Sequence, residues 1–170
     1  PDQIEKIKNE NEKKYKCYIA NDNSNGQQVV SGKLADIDLL MTDLKKNNIK
    51  SIKLPVSAPF HCKLMNNATK IMENEIQKSD FKNPINILIS NVTNQEVKDS
   101  SLLKELLIKQ IESRVRWREN VNLMIKKGTK QFIEIGPGKV LSGLIKRIDK
   151  NVIVNSINSE DDIKKININD

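Results

Sequence analysis

Cysteine, histidine, arginine and aromatic residues are all scarce in these 170 residues, and each shortage excludes something. Cys17 and Cys62 are the two cysteines, with no CxxC spacing. That argues against a disulfide framework or a zinc site and fits a reducing compartment. Aromatics make up 4% and the net charge is +7, carried almost wholly by lysine. Only Arg114, Arg116, Arg118 and Arg147 are arginines. Nucleic-acid binders concentrate arginine and interleave aromatics for stacking, so this charge reads as a solvated lysine surface or a match for an acidic protein partner. No apolar run approaches ~18 residues, so no segment reads as a membrane span. Chain disorder is excluded too, because apolar runs recur throughout. The chain opens at Pro1 inside a predicted helix, which is expected of a fragment or a processed product.

What is present is an alternation of strand and helix periods. Residues 3–14 predict a polar, exposed helix, 16–20 (KCYIA) a strand, 21–26 (NDNSNG) a turn, and 27–31 (QQVVS) a second strand. Ile37, Leu40, Met41 and Leu44 fall at i, i+3, i+4 and i+7, one face of a helix. Residues 51–56 return as a strand, completing a split βαβ pattern that lacks its first strand. Further on, the pattern predicts a helix over 62–78 and a buried strand at INILIS (85–90). Helices over 99–112 and 117–127 follow, with a break near Ser113. QFIEI (131–135) reads as a strand, GPGKVLSGLIKRI (136–148) as a turn into a helix, 152–154 as a strand and SEDDIKKI (159–166) as a short helix. The fold class is α/β with parallel pairing.

Several residues could carry chemistry. His61, the single histidine, sits in LPVSAPFHCKLM between a predicted strand and helix, the edge where α/β sheets bind ligands. A lone loop histidine is more often an ordinary surface or core residue, and a general base also needs a nucleophile and an orienting acceptor. Cys62 adjoins it, but neighbouring side chains point apart. Gln110 continues the apolar stripe of Leu103, Leu106 and Leu107. It is either a helix-end glutamine at the solvent edge or a polar group on the floor of a site. GPGK fails as a phosphate loop, since one residue separates the glycines and Val140 follows the lysine. Its helix N-terminus could still attract an anion. Asn21 lies in a turn, and Asn91 ends the INILISN run as a polar group at a strand edge.

In order and spacing, the segments NDNSNGQQVVSG, LPVSAPFHCKLM, ISNVTNQEV, KQIESRVRW and KGTKQFIEIGPGKVLSGLIKRI resemble the malonyl-CoA:acyl-carrier-protein transacylases of dissociated fatty-acid synthesis. The resemblance implies the C-terminal half of such a protein. Residues 1–54 would be a ferredoxin-like small subdomain without its first strand. Residues 55–170 would be the returning half of a large α/β-hydrolase-like domain. It implies ping-pong transfer of malonyl from coenzyme A to the phosphopantetheine thiol of acyl carrier protein, through a seryl ester. His61 would be the base and the Gln110 backbone carbonyl its orienting group, with Asn21, Phe60 and Asn91 near substrate. The resemblance implies no cofactor and no metal. Acyl carrier protein and a coenzyme A thioester would be the partners, and the protein a monomer in cytoplasm or plastid-type stroma.

Two departures stand out. Arg114 occupies a position where the family usually has Pro, so the bend before Val115 must be made differently. No GxSxG elbow occurs in the sequence, so the serine is expected elsewhere and the chain alone is expected to be inactive. A noncatalytic docking module for an acidic carrier protein is the competing reading.

Overall fold

The chain's first elements assemble around a small apolar core, seen in a computed structural model that describes residues 2–166. Pro1 and residues 167–170, the outer ends of the two expected domain ranges, lie outside the described residues. Helix α1 (Asp2–Glu10) is polar, yet Ile4 and Ile7 give it one apolar edge. That edge packs on buried Tyr15, Cys17, Leu40 and Leu44, so α1 is less exposed than its composition suggests. Helix α2 (Leu34–Lys46) presents Ile37, Leu40 and Leu44 to the same core, the face its periodicity predicts.

Strands β1 (Cys17–Ser24) and β2 (Gln27–Gly32) form an antiparallel hairpin. Only Asn25 and Gly26 remain as the turn, with Gly26 at φ +75°. The expected turn over 21–26 is therefore mostly strand. The register slips between Ile19 and Asn21 and again between Asp22 and Ser24. Such bulges bend and twist a strand and re-aim its side chains. Here Ala20, Asp22 and Ser24 are all turned inward.

Residues 51–56, expected as a strand, form none among the described residues, and the Val56 amide turns back onto the Leu54 carbonyl at 2.9 Å. Ile52, Leu54 and Val56 stand exposed. The INILIS expectation is corrected likewise. Only β3 (Leu88–Ile89) forms, antiparallel to β4 (Glu96–Val97), while Ile85 is 99% exposed. β-branched composition licenses a strand, but a strand exists only when a neighbour takes its backbone groups.

A 3-10 turn (Lys63–Met65) leads into α3 (Asn66–Lys78), which packs beside α4 (Ser100–Gln110). Asp99 caps α4, its Oδ1 accepting from the Leu102 amide at 2.8 Å. The predicted break follows at residues 111–116, then α5 (Trp117–Lys126). Strand β5 (Gln131–Ile135), helix α6 (Val140–Ile148) and strand β6 (Ile153–Ile157) form a parallel crossover unit, followed by α7 (Glu160–Lys164). Val121, Phe132, Ile145 and Val152 make a second core between α5, α6 and this sheet. The sheet's other face carries Ile133, Ile135 and Ile153, all exposed.

Candidate active site

The loop before the 3-10 turn forces one residue into unusual backbone. His61 has φ +59°, the left-handed region. For a residue with a Cβ this costs about 1–3 kcal/mol and persists only where its surroundings hold it. They do. The Ser31 hydroxyl of β2 donates to the Phe60 carbonyl at 2.7 Å. The Cys62 thiol donates to the Pro59 carbonyl at 3.1 Å. Cys62 is 1% exposed, and burial pushes its thiol pKa up, so it is a structural thiol and no partner for the imidazole.

His61 Nδ1 lies 3.0 Å from the backbone carbonyl of Gln110. A carbonyl can only accept, so Nδ1 carries the proton and the neutral ring keeps its Nε2 lone pair for chemistry. Gln110 is the last residue of α4. Carbonyls in a helix's final turn lack intrahelical partners and sit at the negative end of its dipole. The helix end thus supplies an acceptor with partial negative charge. The Gln110 side chain is spent elsewhere, its Nε2 donating to the Ser113 carbonyl at 3.0 Å and closing the turn that follows.

That turn gathers most of the other candidates. Asn21 forms a parallel bridge with Val115, flanked by Asp22 N to Val115 O at 2.9 Å and Val115 N to Ala20 O at 2.8 Å. The Asn91 carbonyl accepts from the Arg116 amide at 3.0 Å, and its Oδ1 accepts from Asn120 Nδ2 at 2.7 Å. Asn21, Asn91 and Gln110 therefore meet at residues 110–116. Phe60 is half exposed beside His61.

Three residues escaped the sequence reading. Asp22, fully buried, binds Arg114 Nη2 at 2.9 Å and is gripped by Arg118 through Nε and Nη2 at 2.8–3.1 Å. This pairing occupies the Arg114 side chain at the position where proline was expected. The sequence signal was weak: two of the chain's four arginines, Arg114 and Arg118, stand four residues apart, but nothing in their spacing points to Asp22. Ser31, the end of an ordinary strand, gave no signal. Glu134 shares a strand face with Phe132 and precedes a helix start, a pattern that anticipates a cap. Its carboxylate accepts from the Leu141 amide at 3.1 Å and the Ser142 amide at 2.8 Å. The α6 N-terminus is thus filled by the chain itself, which corrects the expectation of an anion there.

Bonds from Ser142 and Leu141 hold the Glu134 carboxyl below its usual range. A depressed folded pKa gives stability above the unfolded value of about 4.3, lost as pH falls through the folded value. Glu134→Gln is expected to melt lower than wild type near neutrality, with the gap closing on acidification. Circular-dichroism melts across pH check this.

No family model matches the chain. It is 41% identical over 133 residues to the malonyl CoA-acyl carrier protein transacylase of Bacillus subtilis, covering 78% of this chain and 42% of that protein. A transacylase structure of the same name from Clostridium perfringens superposes with TM-score 0.91 at 36% identity, over 97% of this chain and 52% of that one. The chain is a homologue of these transacylases. It spans about half the length of the curated relatives it matches. Its mixed helix–strand architecture is that of the solved transacylases. A malonyl-transacylase solved with its type II polyketide synthase acyl-carrier protein also matches, with TM-score 0.90 and 28% identity over 97% of this chain and 54% of that one. Among the described residues, no helix is long and apolar enough to cross a membrane.

Proposed function

We propose that this chain carries the general base of an [acyl-carrier-protein] S-malonyltransferase of fatty-acid biosynthesis, whose serine nucleophile lies in polypeptide outside these 170 residues. The carrying observation is the His61 Nδ1–Gln110 carbonyl contact at 3.0 Å. In the first half-reaction His61 Nε2 takes the serine hydroxyl proton as the oxygen attacks the malonyl thioester. The carbon–sulfur bond breaks, and the proton passes to the departing coenzyme A sulfur. In the second, Nε2 takes the phosphopantetheine thiol proton, the sulfur attacks the seryl ester, and the proton returns to serine. The Gln110 carbonyl fixes the tautomer and stabilises the imidazolium less than a carboxylate would. Asn21, Phe60 and Asn91 stand near the acyl substrate in this reading, and neither cofactor nor metal takes part.

The fold assignment belongs to the same proposal. Residues 1–54 are a ferredoxin-like subdomain missing its first strand, and 55–170 the C-terminal half of an α/β-hydrolase-like domain. Parallel sheets are normally covered on both faces. The exposed Ile133, Ile135 and Ile153 face supports a larger sheet body in the complete enzyme. The +7 charge suits an acidic carrier protein, with the enzyme a monomer in cytoplasm or plastid-type stroma.

The test is malonyl transfer to carrier protein by the 170-residue chain alone and with the complementary half of a homologous transacylase. No turnover alone and activity on complementation is the expected result. Robust turnover by the chain alone would overturn the serine mechanism. Salt-sensitive carrier-protein binding with no activity in the complemented protein would favour a docking module instead.

A further inference from the structure

We infer that the β1–β2 hairpin positions the catalytic pair, with Ser31 and Asp22 as positioning residues, one for each partner of the His61–Gln110 hydrogen bond. The inference rests on the transacylase reading for the ring's role, but its geometry stands independently. On the histidine side, φ of His61 is the rotation between the Phe60–His61 peptide plane and the carbon that bears the ring. Ser31 holds that plane by its oxygen, at 2.7 Å from the Phe60 carbonyl. It thereby fixes the left-handed φ of +59° that aims the imidazole. On the glutamine side, Asp22 clamps Arg114, inside the bend after α4, and Arg118, in the first turn of α5. The same strand bonds the Val115 backbone through Ala20 and Asp22. Between the clamp and the carbonyl lies only the turn closed by Gln110 Nε2 and Ser113 O. Ser31 and Asp22 stand on adjacent strands of one hairpin, so the distance between the two grips is set by its ladder rather than by either loop.

The lone histidine makes this measurable. In the ¹⁵N-labelled full chain a single imidazole reports, and its Nδ1 resonance distinguishes a hydrogen-bonded N–H from an averaged tautomer. Ser31→Ala and Asp22→Asn are each expected to shift Nδ1 toward the averaged position, and Ser31→Thr to restore it. Asp43→Asn is the control: it removes another acid paired with two cations, Lys14 and Lys46, but on α2. It is expected to leave Nδ1 unmoved. If Asp22→Asn does not fold, Arg114→Met reads the same grip. An Nδ1 resonance unchanged in folded Ser31→Ala and in the Asp22 or Arg114 variant overturns the inference. So does an equal shift in Asp43→Asn, and a threonine that fails to restore removes Ser31 from it. Because the ring is read rather than turnover, failure here is distinct from failure of the malonyl-transfer assay.

Discussion

Replacing His61 by alanine in the complementation assay is expected to slow malonyl transfer by about 10²–10⁴-fold, the usual contribution of a positioned general base. Each factor of ten is about 1.4 kcal/mol, so the barrier rises by about 3–5 kcal/mol. On the proposed role the loss should fall on kcat, since a general base acts on protons in flight rather than on bound malonyl-CoA. A second substitution separates chemistry from backbone. His61→Asn suits the left-handed conformation that the loop imposes yet offers no base. It is expected to be as slow as the alanine variant and to match or exceed its stability. Steady-state kinetics on both, with melting curves alongside, check the pair of outcomes. An asparagine variant retaining activity near wild type would remove His61 from the mechanism.

The second large effect concerns stability. Asp22→Ala is expected to destabilise the chain by about 3–5 kcal/mol, the cost of breaking a buried ion pair by removing one partner. The magnitude follows from burial. Asp22 has no exposed surface, and its two arginine side chains are 28% and 24% exposed. Removing the carboxylate takes from both guanidinium groups the buried anion they share. Asp43 makes a useful contrast. Its carboxyl is held below the usual range first by its hydrogen bond to Lys14 and then by Lys46, but those lysines are 42% and 69% exposed. Water screens such pairs well, so its loss costs far less. For a urea slope of about 2–3 kcal/mol per molar, the Asp22→Ala midpoint should fall by roughly 1–2.5 M. A shift no larger than that of Asp43→Ala would show that the arginines find other partners.

Much of this was legible because it was local. The α2 face, the α4–α5 break and the QFIEI strand follow from periodicity or turn chemistry within a dozen residues, and the structure has each where the pattern puts it. His61 and Gln110 could be singled out as odd polar residues, and the structure joins them across 49 positions of chain. The failures share a cause of the opposite kind. Residues 51–56 and 85–87 have the composition of strands, but pairing is a non-local property that composition does not report. Residues 21–24 read as a turn because they are polar. What makes them strand is a bulged ladder with β2 and an arginine pair more than ninety residues away.

The uncovered isoleucines have a colloidal consequence. Ile85, Ile87 and Ile135 stand more than 70% exposed on a chain that would otherwise self-associate through them. The lysine coat then acts as a charge stabiliser, keeping copies apart by repulsion at a net charge of +7. That repulsion reaches only about 8 Å at physiological ionic strength, so salt weakens it while leaving the apolar attraction intact. Solubility of the separate chain is therefore a balance between two surface forces, and ionic strength tips it toward association.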